Sequence, residues 1–150
     1  QARTRRPASP DRFKRGGSSL RCRGSWPPRL NARAISTADR KWNAQYEWCA
    51  HQRLAMAGGL NPADAEDLAQ GRVPANMKAD EQAVYDFSME MHERHGVGDA
   101  TYQRAVVALG EPGVADLIAV NGYYVLVAMT VNVDRTPIPG NGTPPLPVLK

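Results

Sequence analysis

The sequence has few of the residues on which disulfide, redox and metal chemistry depend. It contains two cysteines and three histidines in 150 residues. Cys22 and Cys49 lie far apart and neither belongs to a C-x-x-C pair, which excludes a disulfide framework and points to a reducing, cytoplasmic setting. The basic N-terminal part also lacks a continuous apolar run, so it does not have the hydrophobic region of a signal peptide.

Charge is distributed very unevenly along the chain. Residues 1–41 hold twelve Lys or Arg and two Asp, a net charge of +10, whereas residues 42–150 hold seven Lys or Arg and thirteen Asp or Glu, a net charge of −6. The total of +4 therefore describes neither part. This division argues against a uniformly basic nucleic-acid-binding protein and predicts a basic segment joined to an acidic domain.

The composition predicts three regions. Residues 1–38 carry few large apolar side chains and no helical or alternating period, so we expect a disordered or atypical basic segment. An organelle transit peptide, an RNA-binding arm, a solvated tail and a stretch that is not the natural start of the protein are alternatives for it. Residues 39–136 are expected to form a helical domain. Residues 137–150 are rich in proline and predict an extended tail that lies over a surface.

The acidic region carries the start and stop signals of successive helices. Gly58-Gly59 ends a helix whose Glu47, Ala50, His51, Leu54 and Ala57 form one apolar stripe, which we expect to face the core. Asn61-Pro62 supplies an N-cap followed by proline at the first helical position. The helices predicted in this way span residues 42–57, a short stretch that ends at Gly71, residues 80–95 and residues 101–109, the last of them capped by Asp99 and stopped at Gly110.

The segment 114–133 admits two interpretations. It is rich in β-branched residues, and Asn121-Gly122 between apolar runs is a strong signal for a two-residue hairpin. Neither flank alternates apolar with polar residues, however, and the run is long enough for a helix that is apolar on almost every side. Asn121 and Asn132 interrupt it, which argues against a membrane span.

Glu47 and His51 are the most informative pair for function. They are four residues apart, so on a helix they are neighbours, and both belong to the predicted apolar stripe. A carboxylate beside an imidazole orients the ring and tunes its basicity, as a general acid or base requires. The alternative is a buried pair that only fixes packing.

Other candidate residues carry weaker signals. Cys49 has no second cysteine and is typical of an inert core thiol. His92 and His95 have a spacing that a metal site can use, but no further Cys or His completes the ligand set, so we predict no metal site there. Tyr123 and Tyr124 are expected to pack in the core, from which one phenol could reach a site.

The runs YEWCAHQRLAMAGGLNP, DEQAVYDFSMEM and DATYQRAVVALGEPGVADLIAVNGYYVLVAMTVNVDRTPIP, with the closing TPPLP, resemble the carboxymuconolactone decarboxylase family of the alkyl hydroperoxidase D-like superfamily. The resemblance extends over roughly residues 40–147. It implies an all-α, alkyl hydroperoxidase D-like fold that forms a homo-oligomer, commonly a trimer or hexamer, without metal or organic cofactor. It also implies a helix rather than a hairpin over 114–133.

The resemblance also implies roles for individual residues. The peroxidase branch of the superfamily uses a Glu followed by C-x-x-C-x-x-x-H; here the histidine matches His51, but Ala44 and Glu47 stand where the cysteines would be. The disulfide cycle therefore cannot run in this chain. The pattern resembles the non-thiol branch, a carboxy-lyase that removes CO₂ from a lactone acid. By that resemblance the substrate is a small organic acid or lactone, His51 transfers the proton and Glu47 is its partner.

One departure from the family pattern weakens this expectation. The family's other Glu precedes the histidine by nineteen residues, an offset that falls on Ala32 here. The surrounding RLNARAISTADRK lacks the expected apolar face, and removing one member of an acid/base set costs on the order of 10²–10⁴ in rate. A catalytically silent oligomeric helical protein is therefore one alternative. A peroxiredoxin-like hydroperoxide reductase that uses Cys49 as a lone thiol is another.

Overall fold

The computed structural model describes residues 26–148, and these residues form five α-helices without a β-strand. The all-α class predicted from the sequence is thereby confirmed. The helices are α1 (Pro28–Lys41), α2 (Gln45–Ala57), α3 (Pro62–Ala69), α4 (Ala79–Arg94) and α5 (Asp99–Asp134), followed by a 3₁₀ turn at Pro139–Asn141.

Helix α1 lies at the centre of the molecule. It packs against each of the other four helices, and all of its residues from Leu30 to Arg40 are buried. Leu30 and Ile35 join a core to which α4 contributes Phe87 and α5 contributes Leu117. The helix that holds the fold together is therefore the first one in the described part of the chain.

The observed α1 differs from the sequence prediction. The expected boundary between residues 38 and 39 falls inside this helix, so residues 28–38 belong to the helical domain, while residues 1–25 lie outside the described residues. The segment also has the core-facing side that its composition did not suggest. Small residues such as Ala34 and Ala38 allow neighbouring helices to approach closely, and the buried charge of Arg33 is paired with Asp64 on α3. A low content of large apolar side chains therefore does not exclude a core helix when a buried charge such as Arg33 is paired.

Helix α2 begins later than predicted and buries a different face. The turn before it contains Asn43 with a φ of 49°, so the helix starts at Gln45 rather than at residue 42. Its predicted end is confirmed at Gly58. The expected core stripe is wrong in part, because Ala50, Leu54 and Ala57 are exposed whereas Glu47, Trp48 and Ala55 are buried.

The predicted starts of α3 and α4 rest on identifiable hydrogen bonds. The Oδ1 atom of Asn61 accepts a hydrogen bond from the Ala63 backbone N–H at 2.9 Å, as expected of an N-cap. At the start of α4, the Glu81 carboxylate accepts from the Lys78 backbone N–H at 2.8 Å. Both contacts satisfy donors that have no partner inside the helix.

The hairpin alternative for residues 114–133 is wrong, because this segment lies within α5. Asn121 is buried, and its side chain connects α5 to α4. Its Nδ2 donates to Ser88 Oγ at 3.0 Å, and its Oδ1 lies 3.0 Å from His92 Nε2. The predicted stop at Gly110 is seen as a kink, where φ is 72° and ψ is 165°.

The C-terminal residues lie along the surface of α2. Leu146 is buried against Trp48, Leu68 and Tyr85. The Gln45 side chain holds the backbone on both sides of this leucine, because its Nε2 donates to Leu146 O at 2.8 Å and its Oε1 accepts from Leu146 N at 2.9 Å. The tail is therefore an ordered part of the fold as far as Val148.

Helix α5 is long and apolar enough to cross a membrane by length and composition alone. The core helix of a soluble protein meets the same criterion, and one third of the most apolar stretch of α5 is buried inside the molecule.

Candidate functional site

A cleft of about 270 Å³ lies between α1 and α2. This volume lies just below the usual range for ligand pockets, roughly 300–1,000 Å³, so the cleft suits only a small molecule. Its walls are mainly apolar, and His51 is its only titratable residue. The lining residues are Pro28, Asn31, Ala32, Ile35, Ser36, His51, Leu54, Ala55 and Gly58.

The tight turn between α1 and α2 brings two carboxylates to His51. The Ala44 backbone N–H donates to Asp39 O at 2.8 Å, which folds the two helices against one another. The Nδ1 atom of His51 then lies 3.3 Å from Glu47 Oε2 and 3.5 Å from Asp39 Oδ2. Nδ1 is buried, and neither of these contacts has the geometry of a hydrogen bond. The exposed 14% of the His51 side chain therefore lies elsewhere on the ring, where it lines the cleft.

Burial dominates the protonation of Asp39. The side chain is 1% exposed, and neither carboxylate oxygen has a hydrogen-bond partner among the described residues. Burial raises the pKa of Asp39 because it penalises the charged carboxylate, while the nearby His51 ring opposes the shift. Asp39 therefore holds a proton more readily than a carboxylate in water.

Aromatic rings complete the surroundings of His51. Tyr124 of α5 contacts the imidazole edge-on, with ring centroids 5.0 Å apart, and Tyr123 meets Tyr124 in the same manner at 5.2 Å. Tyr124 is buried and Tyr123 half-buried. Of the two tyrosines proposed from the sequence, Tyr124 contacts His51, whereas Tyr123 contacts Tyr124.

Cys49 lies apart from this arrangement. It is half-buried on α2 and does not line the cleft. Burial raises the pKa of its thiol, which reduces the fraction of reactive thiolate.

The main residue that sequence reasoning missed is Asp39. The family pattern expects a second carboxylate nineteen residues before His51, at the position of Ala32, and Ala32 lines the cleft. Asp39 lies seven residues further on, which is two helical turns along the same face of α1. A search along that face, rather than at one position, would have found it.

The side chains of ligand type that lie together are not the histidine pair considered from the sequence. His92 bonds to Asn121, and the exposed His95 ends α4, so this pair does not converge. Among residues 26–148, the cluster whose ligand atoms are close enough for one ion is Asp39, Glu47 and His51, with those atoms within 4.8 Å of one another.

A second, wider cleft of about 580 Å³ lies between the α1–α2 turn and residues 131–138. It is lined by Trp42, Tyr46 and Arg135, among others, and contains none of the site residues predicted from the sequence.

Comparison with known proteins gives no match to a family model, to a curated protein or to a solved structure.

Proposed function

We propose that this protein is a cofactor-free enzyme that transfers protons to and from a small substrate in the α1–α2 cleft, with His51 as the general acid and base. The observation that carries this proposal is the position of His51 between a small apolar cleft and two buried carboxylates, Glu47 at 3.3 Å and Asp39 at 3.5 Å. A histidine in these surroundings has a substrate on one side and groups that stabilise its charge on the other.

In the proposed mechanism the two imidazole nitrogens of His51 have different tasks. With its proton on Nδ1, facing the carboxylates, His51 keeps Nε2 as a base for a substrate in the cleft. When Nε2 takes a proton the ring becomes positive, and the charges of Glu47 and Asp39 stabilise it. The carboxylates thus act through His51 as positioning residues.

The resemblance to the carboxymuconolactone decarboxylase family supplies the reaction class. In such a reaction the bond between the carboxylate carbon and its neighbour breaks, CO₂ leaves, and the electron pair stays on the remaining carbon as an enolate. His51 then delivers a proton to that carbon. The proposed substrate is a small organic acid or lactone.

Asp39 bears on the alternative of a catalytically silent protein. That alternative rested on the missing carboxylate at Ala32, and Asp39 offers His51 a second carboxylate from the same helix. The alternative of a lone-thiol peroxidase has less support, because Cys49 is outside the cleft and burial raises its pKa.

The proposed assembly is a homo-oligomer, in line with the same resemblance. The observation that supports it is an exposed apolar face on α5, formed by Ile118, Leu126, Met129 and Val133. These side chains fall within one quarter of the helix circumference. Light scattering on wild type and on Leu126→Glu tests this assembly: we expect an oligomer for the first and a smaller species for the second, and a monomeric wild type would contradict it.

The function is tested by the release of CO₂ from γ-carboxymuconolactone and related lactones, together with solvent deuterium exchange into the same compounds. We expect His51→Ala to lower both rates by about 10²–10⁴. The control is His95→Gln, because His95 is exposed at the end of α4 and does not line the cleft.

Equal rates for wild type and His51→Ala would overturn the role of His51. If neither wild type nor Ala32→Glu acts on any lactone or hydroperoxide tested, the silent alternative is favoured. Hydroperoxide turnover that is lost in Cys49→Ser would favour the lone-thiol alternative.

A further inference from the structure

The carboxylate of Asp39 behind His51 is buried without a Lys or Arg partner among the described residues. Asp39 is fully buried, and its only ion-pair contact within residues 26–148 is the Nδ1 atom of His51. The arginines nearest to it on α1 are engaged elsewhere: Arg33 pairs with Asp64, and Arg40 donates to Pro147 O at 2.9 Å. A buried carboxylate without a cation is costly, so this site favours a positive charge.

Two residues of the cluster, Asp39 and His51, present buried atoms that are able to act as metal ligands. His51 Nδ1 and both Asp39 oxygens are buried and lack hydrogen-bond partners among the described residues. The separations of 3.3 Å and 3.5 Å from Nδ1 to the two carboxylates also fit the edges of a coordination tetrahedron. Metal–ligand bonds of about 2.0–2.2 Å in a tetrahedral zinc site place neighbouring ligand atoms about 3.3–3.6 Å apart.

From this arrangement we propose that Asp39, Glu47 and His51 bind one divalent transition-metal ion, with one imidazole nitrogen and two carboxylate oxygens as ligands. Zn²⁺ and Mn²⁺ both accept such a donor set. The ion lies on the buried side of His51, away from the cleft, and its charge neutralises the two carboxylates.

Metal binding has a consequence for the cleft that rests on the proposed function. An ion on Nδ1 leaves the proton of the neutral imidazole on Nε2, so the ring offers the cleft a donor instead of an acceptor. His51 then no longer acts as a base toward a substrate. The ion is therefore an inhibitor of proton transfer, and a chelator restores activity.

The direct test measures binding, independently of turnover. Protein freed of metal with a chelator is titrated with Zn²⁺ by calorimetry and with Co²⁺ by visible absorption, which reports the ligand geometry. We expect one ion per chain, and an affinity that falls at least about tenfold in each of Asp39→Asn, Glu47→Gln and His51→Gln. His95→Gln and Cys49→Ser are the controls for binding at other donor groups, and we expect both to keep the wild-type affinity.

Thermal denaturation separates loss of the site from loss of the fold. Asp39→Asn removes a buried charge, so its Tm without metal is expected to equal or exceed that of wild type, while the rise in Tm with Zn²⁺ disappears. Folded wild-type protein that shows no saturable binding up to about 1 mM Zn²⁺ or Co²⁺ would overturn the proposal. So would binding that persists in all three ligand variants.

The outcomes also distinguish this proposal from the proposed function. Metal binding without any turnover supports the site and leaves the enzyme proposal without support. Turnover that depends on His51 but is unaffected by Zn²⁺, in protein that binds no metal, supports the enzyme proposal and rejects the site.

Discussion

Individual polar residues inside α1 connect this helix to its neighbours. Arg33 is completely buried, and its Nη2 atom pairs with the Asp64 carboxylate on α3, with Glu81 of α4 at 4.0 Å. Two helices are thereby tied to the central one through a single guanidinium. Such a pair adds little stability compared with apolar residues of the same size, but breaking it leaves one charge buried alone.

Arg33→Ala is expected to lower the free energy of unfolding by about 3–5 kcal/mol, because Asp64 then remains buried without a cation. Urea denaturation followed by circular dichroism measures this loss. The matched control is Arg72→Ala, which removes an ion pair to Asp67 from a side chain that is 57% exposed. That change is expected to cost less than about 1 kcal/mol. Equal losses for the two variants would contradict the role given to the buried pair.

His92 makes stability depend on pH. Burial lowers the pKa of His92 from its usual value near 6.5, the hydrogen bond with Asn121 opposes this shift, and the charge of Lys41 adds to it. Between the folded-state pKa and 6.5 the unfolded chain therefore binds more protons than the native protein. The free energy of unfolding consequently falls as pH decreases through this interval.

We expect His92→Gln to reduce that dependence when unfolding by urea is measured from pH 7.5 to pH 5. Asp39, whose pKa is raised, contributes the opposite pH dependence to the free energy of unfolding. Because Asp39 is present in both wild type and His92→Gln, its contribution cancels in the difference between them. His95→Gln serves as the control because this histidine is exposed. Parallel pH profiles for wild type and His92→Gln would show that the α4–α5 contact does not titrate.

At the scale of whole elements, the helices with local signals were predictable and the central helix was not. Helix caps and positive φ angles depend on neighbours in sequence, so they can be recognised locally. This applies to the N-cap at Asn61, the C-cap at Gly58 and the positive φ at Gly110. Helix α1 depends instead on partners far along the chain, such as Asp64 for Arg33. The site divides in the same way: His51 and Glu47 were found from their spacing, but Asp39 comes from another helix.

The kink in α5 offers a test of the local signals. Gly110 has φ and ψ of 72° and 165°, a conformation that is nearly restricted to glycine. Gly110→Ala is therefore expected to lower the free energy of unfolding by about 1–3 kcal/mol.

The matched control for Gly110 is Gly122→Ala, in the same helix. A Cβ at Gly122 would meet nothing within 4 Å. It is expected to stabilise the chain by about 0.5–1 kcal/mol, measured by urea denaturation at low protein concentration. A neutral Gly110→Ala would mean that α5 does not need the kink.

At the scale of the whole molecule, the last described residues close the structure. Leu146 is 2% exposed and seals the cluster formed by α2, α3 and α4. We expect Leu146→Ala to lower the free energy of unfolding by about 2–5 kcal/mol. Val148→Ala changes a side chain that is 83% exposed and is expected to alter stability by less than about 0.5 kcal/mol. Equal stabilities in urea would show that the tail rests on the surface without contributing to it.

The central position of α1 also bears on how the chain is made. This helix leaves the ribosome before its partners, and the hydrogen bond from Arg40 to Pro147 joins residues that are 107 positions apart. At about 5–20 residues per second, those positions take roughly 5–20 s to synthesise. The four helices that pack against α1 are made during this interval. We expect the Arg, Asp, Ser and Thr side chains of α1, which conceal a core helix from composition, to reduce the apolar surface that the growing chain exposes before those partners exist.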